Sequence, residues 1–114
     1  MTQFRCVLVG NESLLVQCAR ALSGRGHQIV TVASHNADVI AWAASAGIPV
    51  VAPGTGIEDR VTAPFDWLLS IANLSVLPDA LIKRAARGAV NFHDGPLPRH
   101  AGLNAPVWAL LNGE

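Results

Sequence analysis

Asn91 and His93 stand two residues apart in the run Ala-Val-Asn-Phe-His, residues 89–93, and chemistry is easiest to read there. Residues i and i+2 of a β-strand share a face, so the amide and the imidazole are expected to point the same way. A neutral amide can hold a developing oxyanion, and an imidazole can move a proton near neutral pH. The pair suits attack of an amine on a carbonyl-type carbon: Asn91 steadies the tetrahedral oxygen and His93 handles the amine proton. The plainer alternative is that polar residues at a strand end only cap the loop that follows. That loop holds Asp94, Gly95, Pro96, Pro98, Arg99, His100 and Gly102. No other stretch gathers so many titratable and hydrogen-bonding side chains.

The elements that must carry this pair read as an alternating α/β chain. Strands are expected at residues 4–9, 28–33, 48–52, 65–72 and 89–93, each a short apolar or β-branched run. Asn11, Glu12 and Ser13 offer N-caps for a helix to about Leu22, with Leu14 or Leu15, Cys18 and Leu22 inward and Gly24 and Gly26 beyond. Asn36 or Asp38 can cap a second helix through Ala46, with Val39, Ile40, Trp42 and Ala43 on its apolar side and Gly47 at its end. Residues 53–64, with two glycines and two prolines, read as a loop. Pro78 suits a first helical position, with Leu81, Ile82 and Ala85 inward until Gly88. A last helix is expected over Pro106–Asn112, beginning at Asn104 or Ala105. Such alternation requires a parallel sheet with right-handed crossovers, a doubly wound α/β fold. In open sheets of this kind the chemistry sits at the carboxyl ends of the strands, where residues 91–93 would lie.

The 114 residues allow one domain. Half of them are apolar (51%), 14% are charged, and the mean hydropathy is +0.36. Either a sheet buried on both faces or an apolar surface covered by a partner domain explains this. Net charge is zero and no basic run stands out, so nothing suggests a nucleic-acid surface. Cys6 and Cys18 have no metal or disulfide spacing and read as small core residues. The first apolar run is too short for a signal peptide, no run reaches the roughly 18 apolar residues a membrane helix needs, and a soluble cytoplasmic protein is expected.

Other motifs are weaker. The first strand–helix turn, Val-Leu-Val-Gly-Asn-Glu-Ser-Leu-Leu, has Gly10 but puts Glu12 and Leu15 where a dinucleotide fingerprint has its other glycines. A glutamate there would repel a pyrophosphate. His27 and His35 lack a second ligand at metal spacing and read as loop histidines. Trp42 and Trp67 read as core, and Trp108 as core or pocket lining, with core favoured.

The stretch Asn-Phe-His-Asp-Gly-Pro-Leu-Pro-Arg-His-Ala-Gly-Leu-Asn-Ala-Pro-Val-Trp-Ala-Leu-Leu-Asn-Gly-Glu resembles the signature of the folate-dependent formyltransferases. Asn91, His93, Leu97, Pro98, Gly102, Trp108 and the closing Asn112-Gly113-Glu114 fall in register with it. The segment from Phe65 to Ile82 is similar to the strand, loop and helix that precede the signature. The resemblance implies a Rossmann-like N-terminal formyltransferase domain over residues 1–114, expected to be incomplete at its C-terminus. It implies transfer of a formyl group from 10-formyltetrahydrofolate to an amine, with Asn91 on the oxyanion and His93 in proton transfer. It further implies that Leu74, Ser75, Val76 and Leu77 line the folate pocket, partly through backbone groups; their apolar character suits a flat heterocycle. No metal is implied.

Asp94-Gly95 departs from the family's usual Pro-Ser, and this version looks like the formyltransferase modules at the start of nonribosomal peptide or polyketide assembly enzymes. The family's third catalytic residue, an aspartate, comes from beyond the last helix and is expected in further domains or chain outside these residues. Asp94 is a poor substitute, because neighbours on a strand face opposite ways. The expected acceptor is an amine such as an aminoacyl group on a carrier protein or tRNA, or an amino sugar. Two alternatives are a non-catalytic formyltransferase-like module of a larger assembly enzyme and, third, a nucleotide-binding Rossmann domain.

Overall fold

A computed structural model describes residues 3–73, 76–93 and 107–110, the last four and His93 by backbone. The chain runs β1 (Arg5–Val9), α1 (Leu14–Gly24), β2 (Gln28–Ala33), α2 (Ala37–Ser45), β3 (Val50–Val51), α3 (Ile57–Arg60), β4 (Trp67–Ile71), α4 (Asp79–Ile82), β5 (Gly88–His93) and β6 (Val107–Leu110). The sheet order is β3-β2-β1-β4-β5-β6. Strands β1 to β5 are mutually parallel, and β6 joins the edge antiparallel to β5. The doubly wound α/β expectation therefore holds, with one antiparallel edge strand added.

Both faces of the sheet are covered, which explains the apolar composition of its strands. Under α3 and α4, Val7, Val9, Leu68 and Ala89 pack with Phe65, Leu81 and Ile82. Under α1 and α2, Cys6, Leu8, Ile71 and Phe92 pack with Leu15, Ala19, Val39 and Ala43. Leu8, Leu15, Leu68 and Leu81 are fully buried, and each such side chain contributes about 1.5–3 kcal/mol of transfer free energy. Among the described residues no helix is long and apolar enough to cross a membrane.

Local chemistry sets the element ends. Asn36 caps α2: its Oδ1 accepts from the N–H of Asp38 (2.8 Å) and of Val39 (3.1 Å). Ser13 stands before α1 but makes no side-chain cap bond. The α1 stripe is led by Leu15 and Ala19. On α2 the four-residue repeat Val39–Ala43 takes the core, leaving Ile40 37% exposed, against the sequence expectation.

Three further elements differ from expectation. The loop at residues 53–64 contains α3. Helix α4 is a single turn preceded by Pro78, because the N–H groups of Ala86, Arg87 and Gly88 are drawn to the carbonyls of Phe65 and Asp66, feeding the chain into β5. Leu81, Ile82 and Ala85 are nevertheless buried as expected. Instead of a last helix, residues 107–110 form β6, pairing Asn91 with Ala109 and His93 with Val107. Val-Trp-Ala-Leu carries a β-branched and an aromatic residue, and β5 offers it an open edge of backbone donors and acceptors.

The sheet order reverses between β1 and β4. There Gly10, just past β1, lies against the carbonyl of Ile71 at the end of β4, a contact that a Cβ would violate. Gly10→Ala is expected to destabilise the fold by about 1–3 kcal/mol through forced backbone movement. Chemical denaturation tests this; an unchanged midpoint would show that the contact is not needed.

Candidate functional site

Asn91 is placed by the ladder of β5 on β4. It stands beside Ser70, as Ile71 stands beside Phe92. Alternation along β5 sets Asn91 on the same face as Ala89, which packs against the α3–α4 side. Asn91 is half-buried with its Oδ1 shielded from solvent. Ser70 and Asn73 are buried beside it at 2% and 7% exposure, and Asn73 Nδ2 donates to Ser70 Oγ (3.2 Å).

The turn after β4 builds this group. Ala72 takes a left-handed φ of 48°, uncommon for a residue with a Cβ, while its N–H donates to the Phe92 carbonyl (2.8 Å). The chain is thus tied to β5 while it bends. Ser70, Asn73 and Asn91 form a polar group at the carboxyl rim of β4 and β5, the edge where open α/β sheets hold ligands. Sequence reading identified Asn91 and passed over Ser70 and Asn73. The available signal was two polar residues ending an apolar strand.

His93 closes β5, two positions beyond Asn91. Leu74, Ser75, Asp94 and the rest of residues 94–106, with Asn112, Gly113 and Glu114, lie outside the described residues. The other two expected pocket residues differ from each other. Leu77 is anchored in the core at 8% exposure, whereas Val76 is 95% exposed. Both line a cleft of about 430 Å³ with Pro78, Glu58 and the loop Gly54-Thr55-Gly56. Asn91 is not among its described lining residues.

The opposite wall of that cleft is braced by arginines. Arg60 Nε donates to the Ala52 carbonyl (2.9 Å), and its Nη2 donates to those of Thr55 (3.0 Å) and Pro53 (3.3 Å). Gly54 and Gly56 take φ of 96° and 87°, conformations that favour glycine and let the loop curl around the guanidinium. Arg84 Nη1 donates to the Glu58 carbonyl (2.8 Å), tying the short helix α3 to the segment after α4.

At the rim of β1 and β2, Asn11 fills the first strand–helix turn. Its Oδ1 accepts from the His35 N–H (2.6 Å) and from Ser34 Oγ (3.3 Å), and Asn36 Nδ2 donates to its carbonyl (2.9 Å). These bonds tie the first strand–helix turn to the turn after β2. His27 stacks on Phe4 with ring centroids 3.8 Å apart, and its Nδ1 accepts the Phe4 N–H. It packs on the start of β1, beyond the loop histidine that the sequence suggested. No group of three His, Cys, Asp or Glu able to hold a metal occurs among the described residues.

No family model matches the chain. It is 32% identical over 128 residues to the methionyl-tRNA formyltransferase of Anaeromyxobacter sp. (strain K), a match covering 96% of this chain and 41% of that enzyme. The chain is a relative of the formyltransferases. It spans about two fifths of the length of that relative. Solved formyltransferase structures share the fold. Phosphoribosylglycinamide formyltransferase from Brucella melitensis superposes with a TM-score of 0.62 at 19% identity, covering 99% of this chain and 83% of that one. The formyltetrahydrofolate deformylase of Pseudomonas putida KT2440 gives a TM-score of 0.61 at 22% identity, covering 85% and 40%.

The cysteines lie apart from this rim. Burial, with the Asp66 charge adding, pushes the Cys6 thiol up to about 12, and burial also raises that of the half-buried Cys18. A raised value leaves less thiolate at a given pH, so neither is set up as a nucleophile. At pH 8 a thiol reagent should label Cys18 slowly and Cys6 only after unfolding. Rapid labelling of both in the native protein would contradict their burial.

Proposed function

We propose that the chain is the folate-binding, catalytic part of an N-formyltransferase that moves a formyl group from 10-formyltetrahydrofolate to an amine. The carrying observation is the position of Asn91, held beside buried Ser70 and Asn73 at the carboxyl rim of β4 and β5, in a chain whose relatives are formyltransferases. In this reading the acceptor nitrogen attacks the formyl carbon and the oxygen gains negative charge. The Asn91 amide donates a hydrogen bond to that oxygen, and His93 takes the proton from the nitrogen. The bond from carbon to N10 of the folate then breaks, N10 receives a proton, and the acceptor keeps the formyl group as an amide.

The donor fits what is described of its pocket. Val76 presents an apolar side chain to solvent, Leu77 is fixed by the core, and the segment they share borders a cleft of suitable size. Leu74 and Ser75 complete this wall in the proposal. The acceptor is an aminoacyl group on a tRNA or carrier protein, or an amino sugar; the relatives include both a methionyl-tRNA formyltransferase and a GDP-perosamine N-formyltransferase. The enzyme works in the cytoplasm. Glu12, standing where a dinucleotide fingerprint has its second glycine, disfavours the nucleotide-binding alternative, since its charge would repel a pyrophosphate.

Two outcomes are expected. The stable isomer 5-formyltetrahydrofolate should raise the melting temperature of the protein while NAD should not, because only a ligand of the native state stabilises it. A shift with NAD alone would overturn the reading. In the full-length protein, Asn91→Ala should lower kcat by about two to three orders of magnitude with little change in donor binding. Unchanged formyl transfer would remove Asn91 from the oxyanion role.

A further inference from the structure

Ser70 stands where an apolar side chain would serve the fold as well. It follows Leu68 by two along β4, so its side chain joins the face packed under α3 and α4, and it is buried. Burying a hydroxyl is unfavourable unless it is hydrogen-bonded, and an alanine would fill much of the same space without that demand. The side-chain bond it makes is not needed to hold the backbone. The ladder of β4 on β5 and the bond from the Ala72 N–H to the Phe92 carbonyl (2.8 Å) already fix the end of β4 and its turn. A hydroxyl kept here is therefore explained by the side chains around it.

Two of those are amides. Asn73 Nδ2 donates to Ser70 Oγ (3.2 Å), and both residues are buried, so this bond is shielded from competing water. It occupies acceptor capacity on the hydroxyl and leaves the hydroxyl's own proton as the group it has to offer. Across the ladder, Asn91 is the registered partner of Ser70 and shares its face. Neighbouring strands stand about 4.8 Å apart, so hydroxyl and amide lie side by side. The two ends of an amide are not equivalent to such a neighbour. A hydroxyl proton attracts the carbonyl oxygen and repels the NH2 end. In Asn91 the oxygen, Oδ1, is the end shielded from solvent.

We propose that Ser70, steadied by Asn73, is a positioning residue that keeps the Asn91 amide turned with Oδ1 inward and Nδ2 toward the rim. An amide turned the other way would set its oxygen against a developing oxyanion, and the two would repel. Only one sense of the amide serves an oxyanion, so the catalytic meaning of this inference rests on the proposed function.

The test removes the hydroxyl and watches the amide. In the ¹⁵N-labelled protein, residual dipolar couplings of the Asn91 Nδ2 protons should report one fixed orientation. They should fall by about twofold or more in Ser70→Ala and return in Ser70→Thr, which keeps the hydroxyl. Backbone couplings along β4 and β5 should stay unchanged in both variants. In the full-length protein, S70A should lower kcat for transfer from 10-formyltetrahydrofolate by about tenfold, with the donor KM unchanged. The same substitution should cost nothing further once Asn91 is already alanine. Unchanged side-chain couplings in S70A, backbone couplings lost along with them, or an equal further loss of kcat in the N91A background would overturn the inference. A titration with 5-formyltetrahydrofolate separates the two readings. Folate binding with unchanged couplings leaves the proposed function standing and removes Ser70 as its positioning residue. Couplings lost in a protein that binds no folate keep the hydroxyl's hold on Asn91 and overturn its place in formyl transfer.

Discussion

Burial of the sheet on both faces decides where this protein can keep polar chemistry. Strands β1 and β4 are covered by helices on either side, so their side chains must be apolar for most of their length. A polar side chain can stand only where the strand runs out from under its helices, at the carboxyl rim. Ser70 is at that end of β4, and the parallel register of β5 sets Asn91 directly beside it. The turn at Ala72 then supplies Asn73, whose amide reaches back to Ser70. One ladder and one bend therefore produce the polar group that the rest of the domain supports.

The same constraint divides the rim in two. On the β1–β2 side, Gly10 closes against the end of β4, and Asn11 ties Ser34, His35 and Asn36 together. That half is occupied by its own hydrogen bonds. On the β4–β5 side, Val76 stands in solvent beside a cleft, and the half-buried Asn91 sits at the end of a strand. The sheet order places both halves at the same reversal, so the difference in function comes from side chains rather than topology.

Much of the architecture could be read from residues because its signals are local and repeated. The run Gln-Ile-Val-Thr-Val-Ala predicts β2 to the residue, and Asn36 caps α2 as one of the two candidates named. What escaped depends on contacts that hydrophobic periodicity does not show. Helix α3 stands in a Gly- and Pro-rich loop whose form depends on Arg60 folding back on three carbonyls. The stretch Val107–Leu110 is short and apolar, and periodicity alone does not separate helix from strand at that length. Its state depends on the open edge of β5. Of the candidate site, Asn91 was legible because an amide and an imidazole at a spacing of two have a chemical meaning. Ser70 was not, since one serine in an apolar strand carries no meaning until its neighbours across the ladder are known.

The account as a whole depends on the donor binding at the β4–β5 half of the rim. Titration of the ¹⁵N-labelled protein with 5-formyltetrahydrofolate, read by amide chemical shifts, tests this most directly. Shifts should concentrate at Val76, Leu77 and the carboxyl end of β5 around Asn91. Shifts concentrated at Gly10–Glu12 and Ser34–Asn36, or none at saturating folate, would contradict it.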